Sequence, residues 1–313
     1  MTHIAIIGTG VIGTGWTARL LANGHNVKAW DPSDNFDSRL IANIKRLWPT
    51  LEKYGVTSNA SLSNLSTVNS LDAACSGAIL VQESVPEDLA IKKHLHRKIS
   101  EATSGSTIVA SSSSGLLPTE IQVVYEDPER FIIGHPFNPV YLLPLVEIVG
   151  GEKTSQQTIE SAKNFYTSIG MYPLVVRKEI EGYLADRLQE AQWREILHLV
   201  NDDVATTGEI DDAIIYGPGL RWAMMGTCLT FHLAGGNSGM RHMLKQFGPS
   251  LKLPWTKLEA PELTDGLIEK MVDGTLLQAG DQSIEELEEL RDSCLIEIIQ
   301  ALKKFQIGAG KLR

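Results

Sequence analysis

"IAIIGTGVIG", residues Ile4–Gly13, decides how the rest of this 313-residue chain is read. An apolar run enters a glycine at position 8, and further glycines follow at positions 10 and 13. The run predicts a buried strand, and "IGTGWTARLLANG", ending at Gly24, predicts a helix after it. A glycine loop alone is a weak signal. Here "NVKAWD" follows as a second strand and ends in Asp31, 18 residues after Gly13. Strand, loop, helix, strand and acid together make a dinucleotide-binding fingerprint. Gly8 permits the tight turn, Gly10 lets backbone approach a pyrophosphate, and Gly13 lets helix and strand pack closely. The segment Gly8, Thr9, Gly10, Val11, Ile12 and Gly13 would present N–H groups and a positive dipole to the phosphates. Asp31 would accept hydrogen bonds from the adenosine ribose, and a 2′-phosphate would meet like charge there. The expected cofactor is therefore NAD rather than NADP, with FAD an alternative that uses the same fingerprint.

Outward from this unit, short β-rich runs alternate with helical stretches. "GAILVQES", "STIVASSSS", "RFIIGHPFN", "LPLVEIVGG" and "YPLVVR" read as strands, and "SQQTIESAKNFYTSIG" as a helix closed by Gly170. Such alternation predicts an α/β fold: a Rossmann-type, mostly parallel sheet covered by helices on both faces. After about Glu179 the texture changes to apolar residues at helical spacing, as in "LADRLQEAQWREILHLVNDD". Ser283 and Glu286 form a candidate capping box for a long last helix. We therefore expect an NAD-binding domain over residues 1–180 and an all-helical domain over 181–313.

Composition narrows the partners. Hydrophobic residues make up 43% of the chain and charged residues 21%, which suits a soluble globular protein of about two domains. The net charge is −10 and no dense Lys/Arg block occurs, which argues against nucleic acid and anionic membrane as partners. The three cysteines have no metal spacing and no evident pairing, so we expect no metal and a reducing, cytoplasmic location. No apolar run approaches the roughly 20 residues that span a bilayer.

The chemistry lies in "FIIGHPFNPVYLLPLVEIVGG", Phe131–Gly151. This stretch is apolar nearly throughout, yet it holds His135, and Glu147 sits between Val146 and Ile148. An isolated buried carboxylate costs several kcal/mol or changes protonation, so Glu147 needs a partner. His135 follows a predicted strand, where open α/β sheets place their sites, and histidine is the usual base for a hydroxyl proton. Pairing the two would orient the imidazole and leave one ring nitrogen for a substrate. "SSSSG", Ser111–Gly115, follows another strand and offers hydroxyls at the same sheet edge, though from spacing alone a polar turn is the better reading.

"GTGVIG", "ESVPEDLAIKK", "SSSSGL", "GHPFNP", "LVEIVGG" and "GYLADRL" together resemble the 3-hydroxyacyl-CoA dehydrogenase superfamily over essentially the whole chain. The resemblance implies a Rossmann domain followed by a helical domain that forms a homodimer. It implies His135 as base, Glu147 as its orienting partner, Ser114 on the substrate oxygen, and Glu87 and Lys92 lining the cofactor site. Three positions depart from the family pattern: Asp186 stands for an Asn, Glu181-Gly182 for Pro-Gly, and four serines for Ser-Asn-Thr-Ser. Asp186, a further catalytic candidate beside the base, weighs most against an acyl-CoA substrate, because a carboxylate does not donate to a thioester carbonyl as an amide does.

Within the superfamily, residues 210–258 are similar to the L-carnitine 3-dehydrogenase branch. L-Gulonate 3-dehydrogenases share a shorter part of that pattern. The resemblance implies a small-molecule substrate, L-carnitine, whose trimethylammonium suits aromatic faces and whose carboxylate suits guanidinium. The aromatic candidates are Tyr141, Trp193, Trp222, Phe231, Phe247 and Trp255, and the cationic ones Arg187 and Arg221. For most of these aromatics taken singly, core or interface packing is the better reading. Oxidation of L-gulonate, oxidation of a 3-hydroxyacyl-CoA, and a non-catalytic crystallin-like role remain as alternatives.

Overall fold

A computed structural model describes residues 2–312 apart from Met224, 258–261 and Leu263. Met224 and Leu258, which fall in the 210–258 stretch, lie outside the described residues. The chain divides into two compact units, Met1–Asp186 with Leu312–Arg313, and Arg187–Lys311.

The first unit is built in the order β1 (His3–Ile7), α1 (Val11–Ala22), β2 (Val27–Trp30), α2 (Phe36–Tyr54), β3 (Leu65–Thr67), α3 (Leu71–Cys75), β4 (Ala78–Glu83) and α4 (Leu89–Ala102). β5 (Ile108–Ser111), α5 (Pro118–Gln122), β6 (Phe131–Pro136), β7 (Leu145–Gly150), α6 (Gln156–Ser168) and β8 (Tyr172–Val176) complete it. The strands form one eight-stranded sheet ordered β3-β2-β1-β4-β5-β6-β7-β8. β1 is buried along its length, which explains why it reads as an unbroken apolar run. Ala5, Ile7, Val81, Val109, Phe131 and Val149 join one buried core across these strands.

The chain leaves β1 toward β2 and β3, then crosses back to β4 on the other side of β1. That reversal opens a crevice beyond the carboxyl ends of β1 and β4, where open α/β sheets bind ligands. Every strand pair is parallel except β6–β7. The exception has a simple cause. Only residues 137–144 join those two strands, whereas a parallel return needs a crossover of about a dozen residues or more.

The remaining helices are α7 (Ala185–Asn201), α8 (Thr207–Ile215), α9 (Gly219–Trp222), α10 (Thr227–Ala234), α11 (Gly239–Phe247), α12 (Asp265–Ala279) and α13 (Ile284–Phe305). α7 begins just ahead of the second unit; the others lie within it. α13 opens on the capping box read from the sequence: Glu286 N–H donates to Ser283 Oγ, and Ser283 N–H to Glu286 Oε2. Val200, Ile210 and Leu267 form a small buried cluster in this unit. Among the described residues, no helix is long and apolar enough to cross a membrane.

Candidate active site

The crevice beyond β1 and β4 is a cavity of about 970 Å³ lined by Gly8, Gly10, Asp31, Ser84, Val85 and Lys98, among others. Gly8 has φ +89°, and a Cβ there would lie 2.6 Å from the Ser84 carbonyl oxygen. At Gly13 a Cβ would lie 1.9 Å from the Gly8 carbonyl oxygen, so no other residue fits that approach. A Cβ at Gly10 would meet nothing within 4 Å, which leaves the cavity side of the turn clear for a phosphate. α1 has no side-chain cap and no acid in its first turn. Its leading N–H groups lack intrahelical partners and suit an anion.

Asp31 is held in place at the end of β2. Thr9 N–H and Oγ1 donate to its Oδ2 at 2.7 and 3.1 Å, and Ser33 N–H and Oγ to its Oδ1 at 2.9 and 2.5 Å. Burial works to raise the Asp31 pKa, but the Ser33 and Thr9 hydrogen bonds outweigh it and hold the carboxyl below its ordinary value. Asp31 thus places a charged carboxylate at the wall of the cavity, and the residues present fit NAD.

His135 and Glu147 stand directly opposite each other on β6 and β7. His135 Nδ1 lies 2.9 Å from Glu147 Oε2, and both side chains are buried. The second Glu147 oxygen accepts N–H bonds from Leu184 and Ala185, each at 3.0 Å. These N–H groups open α7, so the buried carboxylate meets an imidazole on one side and a helix start on the other. Burial pushes the Glu147 pKa up, but His135 and these N–H groups prevail and hold it below its ordinary value.

The other imidazole nitrogen, Nε2, faces Asp186 Oδ2 at 3.6 Å. Phe137 and Tyr183 lie edge-on to the imidazole, with ring centroids 5.0 and 5.5 Å away. Tyr183 holds φ 46° and follows Gly182 at φ 69°, the two residues that turn the chain into α7. A left-handed non-glycine residue costs of order 1 kcal/mol, and here it brings Asp186 to the histidine.

The serine segment after β5 is gripped by two glutamates. Glu87 Oε1 accepts the Ser113 hydroxyl at 2.5 Å and the N–H groups of Ser114, Gly115 and Leu116 at 2.9, 3.0 and 3.4 Å. Ser114 itself is exposed, while Ser111 and Ser113 are buried. Glu83 Oε2 accepts Ser111 Oγ at 2.6 Å and pairs with His96 Nε2 at 2.8 Å. Lys92 is 1% exposed, and its ammonium lies 2.8 Å from Glu83 and 3.6 Å from Glu87. Burial would raise the Glu83 pKa, but His96 and Lys92 hold it down to about 2. Nothing in the sequence singles out Glu83 or His96. Their only signal is an acid ending a strand and a histidine on an amphipathic helix, which is too common to select.

The substrate candidates are distributed between the units. Tyr141 is buried in the loop between β6 and β7 of the first unit. Arg187 and Trp193 on α7, and Arg221 and Trp222 on α9, are exposed and belong to the second unit. Phe247 closes α11, where it lines an apolar cavity of about 380 Å³ with Phe231 and Trp255.

A nucleotide cavity and a carboxylate-fixed histidine at the strand ends of one Rossmann sheet define a class, the nicotinamide-dependent dehydrogenases. Comparison with known proteins narrows the class. Residues 3–180 match "3-hydroxyacyl-CoA dehydrogenase, NAD binding domain", and residues 182–274 match "3-hydroxyacyl-CoA dehydrogenase, C-terminal domain". The chain belongs to the 3-hydroxyacyl-CoA dehydrogenase family and is an NAD-dependent dehydrogenase. It is 56% identical over 305 residues to an L-carnitine dehydrogenase of Pseudomonas sp, covering 96% of this chain and 95% of that one. It is 53% identical to an L-carnitine dehydrogenase of Oceanobacillus iheyensis, covering 97% and 99%. A similar solved structure is that of 5-formyl-3-hydroxy-2-methylpyridine 4-carboxylic acid 5-dehydrogenase, described as an NAD+ dependent dismutase. It has a TM-score of 0.82 and 28% identity, over 96% of this chain and 98% of that one.

Proposed function

We propose that this protein oxidises the 3-hydroxyl of L-carnitine to 3-dehydrocarnitine. The observation that carries the reading is the fixed His135 imidazole with a carboxylate, Asp186, 3.6 Å from its open nitrogen. The similarity to L-carnitine dehydrogenases supports the choice of substrate. NAD, when bound, supplies the acceptor for the hydride that leaves C3.

In this reading His135 Nε2 takes the hydroxyl proton, and Glu147 orients the ring and offsets the imidazolium charge. Ser114 hydrogen-bonds the substrate oxygen, and Glu87 and Lys92 support the serine segment beside the cofactor. Asp186 gives the substitution of a family Asn a physical purpose. Carnitine's trimethylammonium sits on the carbon next to C3, so a carboxylate beside the base attracts that cation. Tyr141, Trp193, Trp222 and Phe247 are candidate contacts for its methyl groups, and Arg187 and Arg221 for the substrate carboxylate. A homodimer in the cytoplasm belongs to the same reading. Exposed Leu220, Leu251 and Phe305 in the second unit, and the free cysteines, support it.

The test is NADH formation by the purified protein with L-carnitine, L-gulonate and 3-hydroxybutyryl-CoA. L-Carnitine should give the highest kcat/KM; turnover of either rival with none of carnitine would overturn the substrate. Asp186→Asn should raise the carnitine KM about tenfold, equivalent to about 1.4 kcal/mol, with little change in NAD affinity. A KM within about twofold of the wild-type value would remove Asp186 from cation recognition.

A further inference from the structure

α1 does more than offer N–H groups at its first turn. Gly15, Trp16 and Arg19 lie within about one helical turn of each other. A Cβ on Gly15 would lie 2.9 Å from the Val140 Cβ, so the Val140 side chain packs directly on the helix backbone. Trp16 Nε1 donates to Ser112 Oγ at 3.1 Å. Arg19 is 3% exposed, and all three of its nitrogens donate to backbone carbonyls. Nε reaches Val140 at 2.7 Å, Nη2 reaches Leu143 at 3.1 Å, and Nη1 reaches Ile169 at 3.2 Å.

Two of those carbonyls belong to residues 137–144, the loop between β6 and β7. The same loop carries Phe137, whose ring meets the His135 imidazole edge-on. A single guanidinium thus joins the cofactor helix, the loop that touches the base, and the end of α6.

We infer that Arg19 is a positioning residue that locks the 137–144 loop against α1 and so sets the His135 imidazole relative to the cofactor helix. Stability alone does not call for this residue. A buried cation replaced by a well-packed apolar side chain is often neutral or stabilising. An apolar residue, however, cannot grip three carbonyls on two segments. Nor can lysine, which offers one ammonium where arginine offers a planar fork. Burial lowers the Arg19 pKa to about 10, which leaves the grip charged at neutral pH.

The rate readout rests on the proposed carnitine reaction, whereas the imidazole readout does not. The experiment compares full-length Arg19→Met and Arg19→Lys with wild type. It measures melting temperature, NAD affinity, and kcat and KM for L-carnitine. It also measures the deuterium isotope effect with 3-deuterated carnitine and the NMR titration of His135 without ligands. Arg19→Met should keep NAD affinity within about threefold and lose about 10- to 100-fold in kcat, because small misplacements cost that much. Its isotope effect should rise as hydride transfer becomes limiting, and the His135 titration midpoint should move. Arg19→Lys should recover part of each change.

Wild-type kcat, isotope effect and titration in Arg19→Met would overturn the inference. So would kcat losses in both variants that match equal losses of NAD affinity. If Arg19→Met does not fold, Arg19→Lys decides by the same criteria. A wild-type protein inactive on carnitine overturns the substrate reading, and the His135 titration still decides the role of Arg19.

Discussion

His135→Ala is expected to lower turnover by about 10²- to 10⁴-fold, the usual worth of a positioned general base. NAD affinity should stay near the wild-type value, because the residues expected to hold the cofactor lie on the β1–α1 turn and at Asp31. The loss should appear in kcat and kcat/KM together, as for an interaction made in the transition state. The geometry explains why the effect should be large. Glu147 binds Nδ1, leaving Nε2 as the nitrogen that faces outward toward Asp186. Near-normal turnover in the variant, measured as NADH formation, would take the histidine out of the mechanism.

Glu83→Ala should be the most damaging change to stability. Glu83 is fully buried and accepts from Val85 N–H, Lys92, His96 and Ser111. Its removal leaves the buried Lys92 ammonium without its nearest counter-charge, a change that typically costs about 3–5 kcal/mol. Urea unfolding at neutral pH measures that loss, and one below about 1 kcal/mol would contradict it. The pH dependence has a definite sign. The folded carboxyl titrates at about 2, below its ordinary value of 4.5. Its contribution is therefore complete above pH 4.5 and is lost as pH falls toward about 2. The stability gap between wild type and variant should narrow over that acid range. A constant gap would mean that Glu83's charge is not what stabilises this region.

The parts of this protein legible in its sequence are those encoded locally. "IAIIGTGVIG" with Asp31 specifies strand, turn, helix and acid within one short segment, and Ser283 with Glu286 specifies a helix start. His135 and Glu147 invited pairing because each was out of place in an apolar run. The partners of Glu147 on the other side were not legible. Leu184 and Ala185 donate backbone N–H groups, which every non-proline residue has, so no residue type marks them. Lys92 shows the same limit. Its spacing suggests an exposed helix start, but the fold turns its ammonium inward to Glu83, nine residues back. Residues 36–54 received no element from the sequence reading, yet they form α2 with Pro49 inside it. Nothing in the sequence marks Arg19, because the carbonyls that it binds are brought to it only by the fold.

The β6–β7 ladder has a consequence for how such an enzyme changes over evolution. His135 and Glu147 are cross-strand neighbours, so the distance between carboxylate and imidazole is set by backbone pairing. The connecting tip does not set it. One hairpin thereby carries two separate ties. Its stem holds His135 opposite Glu147, and its tip, where Arg19 binds the Val140 and Leu143 carbonyls, fastens that stem to α1. The restriction is parity: a slip of one residue in the stem would turn Glu147 to the opposite face of the sheet. Insertions and deletions in the stem are therefore confined to those that keep this register, whereas single replacements that keep the backbone pairing leave the His135–Glu147 distance in place.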